Sequence, residues 1–326
     1  MAAIRFSRRQ LMIGGSTALL VAPWLKPLSA GDVQLQADRV RFQPAIEPLV
    51  RLIEETPREG LLIEVAKRIR SIVPYTEWLA ATLLAGIRNV QPRPNVGFKF
   101  HCVMVMHAAH QATQAARDEH RWFPLFWAMD YFKSCQQQDR DEGDWTMSAV
   151  DPQSLPAPQA LSELRVALDQ WDVEKGDMAA AAAARSASPA QLLELFARYG
   201  SRDFRNIGHK AIWVAGAFRT LEVIGWQHAE PVIRSLTFAL LNHNGEANPA
   251  QNDLAADRSG KASWDLARDM PSAIDAGKID DGYAQDWLVA ARQENPTNLA
   301  RLTAGVCRKG SPRKRTMMES SLRPRN

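Results

Sequence analysis

Apolar residues recur at steps of three and four along almost the whole chain, the spacing of helices that bury one face. "EPLVRLIEETP", "EGLLIEVAKRIRSIV" and "TEWLAATLLAGIRNV" follow this pattern, and the last stops at "QPRPNVG". Next come "KFHCVMVMHAAHQATQAARDE" and "PLFWAMDYFKSCQQQ". A polar, proline-containing linker covers about 139–160. Beyond it, "ALSELRVALDQWDVEKGDMAAAAAARSA" reads as helix, and the run Ala179 to Ala184 reads as a strong helix former. "SPAQLLELFARYG" opens with Ser188 as N-cap and Pro189 at the first helical position. "HKAIWVAGAFRTLEVIG" and "AEPVIRSLTFALLNHNG" complete the series, with Asn244-Gly245 as a helix stop. No alternating strand pattern appears. The pattern predicts an all-α fold of antiparallel helical hairpins, packed as a bundle or a short α-solenoid.

The histidines add an internal repeat. His120 follows His101 by nineteen residues, and His228 follows His209 by the same nineteen. Each is followed within four residues by a proline, in "HRWFPLF" and "HAEPVIR", that opens an apolar helix. Two related helix-turn-helix units, about 98–138 and 206–245, therefore recur about 108 residues apart. At 1.5 Å per residue, a helix of about 17 residues is ~25 Å long, so His101 and His120 belong at opposite ends of their hairpin. Units related by a pseudo-twofold would bring His101 toward His228 and His120 toward His209. Units stacked in parallel would bring His101 onto His209.

On a straight helix, Cys102, Val105, Ala109, Ala112 and Ala116 form a stripe of small residues, which predicts a central, two-sided helix. His107 and His110, three apart, share another face, and His101 points away from them. Gly216, in the second unit, implies close approach of another backbone or of a ligand.

Histidine is the commonest metal ligand and the usual acid–base group near neutral pH. The candidate catalytic residues are His107, His110 and His209. His101, His107, His110, His120, His209 and His228 are the candidate metal ligands, so a metal ion is one cofactor the site could take. Glu119, Asp130, Glu230 and Tyr131 are candidate orienting partners. The competing interpretation is structural, with His120 and His228 capping helices and His101 and His209 satisfied within the core. The chain contains no HExxH, paired CxxC, phosphate-binding glycine loop or nucleophile elbow. That removes the metalloprotease, nucleotide-binding and α/β-hydrolase classes.

The ends of the chain change the picture of charge and location. The N-terminus reads "RFSRRQLMIGGSTALLVAPWLKPLSA". Its Ser7-Arg8-Arg9-Gln10-Leu11-Met12 run, before a mildly apolar stretch and "LSA" at 28–30, resembles a twin-arginine (Tat) export signal. The apolar stretch is broken by Gly14, Gly15, Ser16 and Thr17, and is too short for the roughly 20 apolar residues of a membrane span. The resemblance implies a signal peptide at 1–30, recognition by the Tat machinery, passage in the folded state, and a mature protein working in the periplasm or otherwise outside the cytoplasm. An uncleaved N-terminal anchor is the alternative.

The body, 31–306, then carries a different charge from the whole. Of 40 basic and 36 acidic residues, segment 1–30 holds four basic, and 307–326 holds seven basic and one acidic. The 29 basic and 35 acidic residues left make the body mildly acidic despite the formal +4 of the chain, which argues against a nucleic-acid partner. The tail 307–326, rich in like charge, reads as disordered. The cysteines Cys102, Cys135 and Cys307 match neither a disulfide framework nor a metal knuckle, and Cys102 and Cys135 read as small core residues.

"GFKFHCVMVMHAAHQA" and "GHKAIWVAGAFRTLEVIGW" together resemble the questin oxidase-like family, over about 97–245. Helices of that family open with a histidine before an apolar run, as at His101 and His209. The resemblance implies an all-helical oxidoreductase acting on a small aromatic or polyketide-like substrate, with roles for His101, His107 and His209. The preceding helix lacks the histidine that the family places there. A second class stays open, a non-catalytic helical-repeat protein that binds a partner or small ligand outside the cytoplasm. Ten tryptophans would serve it.

Overall fold

The computed structural model describes residues 39–308 apart from 70–72, 94–98, 152–154, 203–206, 244, 269 and 271–280. The Tat-like signal at 1–30 and the tail from 309 onward lie outside the described residues. The chain divides at Arg39, and the body from Val40 onward is the part described below.

The body is all-α, with no β-strand among the described residues. Its helices are α1 (Glu47–Glu55), α2 (Arg58–Ile69), α3 (Tyr75–Asn89), α4 (His101–Met104), α5 (Met106–Ala115), α6 (Phe123–Asp141) and α7 (Ala160–Gln170). These are followed by α8 (Val173–Ser186), α9 (Pro189–Gly200), α10 (His209–Ile224), α11 (Ala229–Leu241), α12 (Ala255–Arg268), α13 (Asp281–Gln293) and α14 (Pro296–Arg308). No helix among the described residues is long and apolar enough to cross a membrane.

The central helix is α3, not the histidine-rich helix that the small-residue stripe indicated. Every residue from Trp78 to Asn89 is buried, as expected of a helix apolar on all sides. It packs against α1, α6, α10 and α11. The histidine-rich segment instead breaks at Val105 into α4 and α5. Angles reckoned on a straight helix do not carry across that break, and Ala112, placed in the stripe, is exposed.

Two charged pairs in the interior hold helices together. The Arg88 guanidinium of α3 donates to both carboxylate oxygens of Glu54 in α1, at 2.8 and 2.7 Å, and also to Glu47. Arg234 of α11, fully buried, donates to both oxygens of Asp177 in α8. Bidentate geometry is what makes such burial tolerable, because a lone buried charge is strongly destabilising.

The stretch expected as one helix over 160–187 is two. Trp171 takes a left-handed conformation (φ 58°), and Asp172 then accepts the Lys175 N–H to cap α8. The alanine run does more than favour helix. Ala179 to Ala183 are buried where α8 packs on α7 and α11, and side chains this small let those helices approach closely. Ser188 forms a reciprocal capping box with Gln191 at the start of α9. Helix α11 ends at Leu241, ahead of the expected stop at Asn244-Gly245; Asn244 is outside the described residues.

The stretch read as a polar linker is partly built into the body. Asp139 is buried, and its carboxylate accepts the Gln91 and Trp145 N–H groups and an ion pair from Lys99. Met147 is buried too, with its N–H on the Arg88 carbonyl and its carbonyl on the Val40 N–H. At the other end, α14 extends to Arg308, past the expected start of the tail.

The two related units are α4–α6 and α10–α11. Each passes from its first helix through one short 3-10 turn, Asp118–His120 and Trp226–His228, into its second. The two turns are displaced along the chain by the same 108 residues that separate His101 from His209.

Candidate functional site

The histidines fall into two separate places. The first is a pair at the start of the two units. His101 opens α4 and His209 opens α10, and their Nε2 atoms lie 3.0 Å apart with rings nearly perpendicular. At this distance one ring nitrogen donates and the other accepts. Neighbouring residues fix both ends. Lys99 pairs with Asp139 at 2.7 Å, anchoring the entry to α4, and Phe100 meets Trp213 of α10 edge to face at 5.7 Å. On the other side, the chain enters α10 through Ile207 (φ 54°) and Gly208 (φ 78°), two successive left-handed residues. Gly208 adopts this freely, whereas a β-branched residue is strained there.

The contact decides between the two arrangements considered above. His101 meets its own repeat equivalent, the outcome of parallel units. From there α4–α5 and α10 run side by side. A Cβ at Gly216 would sit 3.6 Å from the Met104 carbonyl oxygen, so the backbones do come close at the glycine, with room left for a methyl group.

The second place is a cleft of about 530 Å³, open to solvent, between α5 and α10. Its walls are His107, His110, Gln111, Gln114 and Ala115 from one side, and Arg219, Glu222 and Val223 from the other. Gln111, Gln114 and Ala115 stand 108 residues before Arg219, Glu222 and Val223. The cleft is therefore lined by equivalent positions of the two units, and the histidines, matched by Ala215 and Phe218, break that symmetry. Tyr75 at the start of α3 reaches His110, with its hydroxyl 3.3 Å from Nδ1. Burial lowers the His110 pKa below its ordinary value. His107 is lowered as well, by burial first and then by Arg219 and His110, with Glu222 opposing. Its Nδ1 is shielded from solvent and has no hydrogen-bond partner among the described residues. A shielded, unpaired ring nitrogen beside a cleft is a group that a ligand can satisfy.

His107 and His110 thus share a face, but His209 does not join them; it is held by His101 at the helix start. His228 is buried at the start of α11, and burial lowers its pKa. His120 is exposed, stacked on Phe123 and 3.4 Å from Glu119. The six candidate metal ligands are consequently dispersed. Among the described residues, no group of three or more His, Cys, Asp or Glu side chains is placed to hold a metal ion. The other expected partners are engaged elsewhere. Asp130 pairs bidentately with Arg58, Glu230 lies near Arg185 and Arg234, and the Tyr131 ring stacks on Trp127.

Tyr75, Arg219 and Glu222 are the site residues that sequence reading missed. For the last two a signal existed, because the 108-residue repeat places them opposite Gln111 and Gln114. A second cavity, of about 600 Å³, lies among α12, α13 and α14, with Trp264, Met270, Trp287 and Leu299 in its wall. Among the described residues of its wall none has a titratable side chain.

No family model matches the chain, and no curated protein or solved structure matches it.

Proposed function

We propose that this chain is an exported helical protein that binds a small organic, aromatic-like substrate in the α5–α10 cleft, with His107 and His110 as its acid–base residues. The observation that carries this reading is the His107 ring, which stands in the wall of a cleft shared with His110, Arg219 and Glu222 and whose shielded Nδ1 has no partner among the described residues. Imidazoles whose pKa is lowered are neutral near pH 7 and can accept a proton. Arg219 supplies a positive charge suited to an anionic substituent, and Tyr75 orients the His110 ring. The oxidoreductase character of the reading rests on the resemblance of 97–245 to the questin oxidase-like family. Export to the periplasm by the Tat machinery rests on the Ser7 to Met12 motif.

The test is ligand binding and spectroscopy on protein purified from a host with a working Tat system. Aromatic carboxylates and phenols are titrated against the protein and against His107→Ala and Arg219→Ala, with bound metal and the visible spectrum measured alongside. Binding that both substitutions weaken tenfold or more, while His120→Ala leaves it unchanged, supports the reading. Binding untouched by either cleft substitution removes it.

A second reading, a non-catalytic binding protein, is favoured by one surface. On α6, Phe123 and Trp127 are 58% and 53% exposed, and Trp127 stacks on Tyr131. Loss of partner capture on Trp127→Ala, with the cleft variants silent, would favour that reading.

A further inference from the structure

The contact between His101 and His209 has the geometry of two metal ligands as well as that of a hydrogen bond. Their Nε2 atoms lie 3.0 Å apart, with the ring centroids at 5.0 Å and the planes nearly perpendicular. A metal–nitrogen bond to histidine is ~2.0–2.1 Å long, so an ion equidistant from the two atoms at this spacing subtends an angle of about 95°. That angle is the one between neighbouring positions of a square plane or an octahedron. Opening the pair by about 0.3 Å gives the tetrahedral angle.

The surroundings suit a bound cation. Both rings are partly exposed, so an ion from solvent can reach them. The two helix starts are held in place without the histidines, because Phe100 and Trp213, both fully buried, meet edge to face at 5.7 Å. The ammonium groups nearby in sequence are engaged: Lys99 with Asp139 and Glu142 at 2.7 Å each, and Lys210 with the Leu240 carbonyl at 2.9 Å. The chain also enters His209 through Ile207 at φ 54°. Backbone strain of this kind concentrates where a side chain is held ready for a ligand.

We propose that His101 and His209 form a two-histidine site for a divalent first-row metal ion, copper(II) in preference to zinc(II), which clamps the start of α4 to the start of α10. The preference follows the general order of affinity for nitrogen ligands. Among the described residues no third His, Cys, Asp or Glu completes the set, so water fills the remaining positions. Binding is coordination with no change of oxidation state. The proton that joins the two nitrogens in the metal-free protein leaves Nε2 for Nδ1 of the same ring through solvent, and both Nε2 lone pairs then face the ion. The site goes beyond the function proposed for the cleft and does not depend on it.

The experiment uses the full chain, stripped with EDTA and dialysed, with copper(II) chloride and zinc(II) chloride as probes. The protein should bind one equivalent of copper(II), with the paramagnetic resonance signature of two coordinated imidazoles, and its melting temperature should rise. His101→Ala and His209→Ala should each weaken that binding tenfold or more, whereas His107→Ala and His120→Ala leave it unchanged. In the unsubstituted protein, copper should shield His101 and His209, but not His120, from diethyl pyrocarbonate, read by peptide mass spectrometry. This last measurement assigns the ligands even where a variant does not fold. No copper bound at one equivalent, a spectrum showing fewer than two imidazoles, full affinity in His209→Ala, or shielding of His107 and His110 instead would each overturn the proposal.

Discussion

His101 and His209 meet through their Nε2 atoms at 3.0 Å although 108 residues separate them in the chain. They are equivalent positions of the two units, so the contact is of a residue with its own counterpart, as parallel units require. The same relation recurs further along, where Gln111 and Gln114 face Arg219 and Glu222 across the cleft. One helix pair therefore carries an imidazole contact at one end and an open cleft lined by polar groups further along.

The first prediction concerns that contact. A hydrogen bond between two ring nitrogens is worth about 1 kcal/mol, and removing one partner strands the other. Urea unfolding of His101→Ala, His209→Ala and the double variant should give a coupling of about 1 kcal/mol between the sites. Strict additivity would show that the two rings do not support each other.

Ile207 stands two residues before His209 in a left-handed conformation and is 72% exposed. Its side chain gains little from packing, while the backbone conformation costs about 1–2 kcal/mol for an ordinary L-residue. Asparagine tolerates this region far better. Ile207→Asn should therefore raise stability by about 1 kcal/mol, read as a higher urea midpoint at unchanged slope. A lower midpoint would mean that the Ile207 side chain, not its backbone, matters at the entry to α10.

Acid should destabilise the fold through His228. Burial lowers its folded pKa below the usual 6.5, so in the window between the two values the unfolded chain binds the proton and the folded one does not. Stability from this residue is complete above 6.5 and is lost as the pH falls from 6.5 through the folded value. His107 and His110, lowered in the same sense, act in the same direction. Replacement His228→Gln, which stays neutral, should flatten the slope of unfolding free energy against pH in that window. The limit for one proton is about 1.4 kcal/mol per pH unit. A slope identical to that of the parent would place the acid sensitivity elsewhere.

Local signals told true where the physics is local. Helical periodicity, the Ser188-Pro189 start of α9 and the pairing of His107 with His110 depend on residues a few positions apart, and the fold keeps all three. They failed where a neighbour in space intervenes. Helix composition runs unbroken through Trp171, yet the left-handed turn there lets α7 and α8 fold back on each other. The small-residue stripe assumed a straight helix, and the break at Val105 removed its basis. The alanine run gave no hint of being an interface, because propensity and close packing ask for the same residue.

The sequence by itself determined an all-helical body, the nineteen-residue histidine spacing and its recurrence, and the shared face of His107 and His110. These follow from the helical repeat and from counting. Only the tertiary structure decided that the two units lie in parallel, that His209 goes to His101 instead of to the cleft, and that Arg219, Glu222 and Tyr75 complete it. The reason is common to all of these. Contacts between distant segments are chosen by how whole helices bury their apolar faces against α3 and one another, and no window of sequence contains that choice.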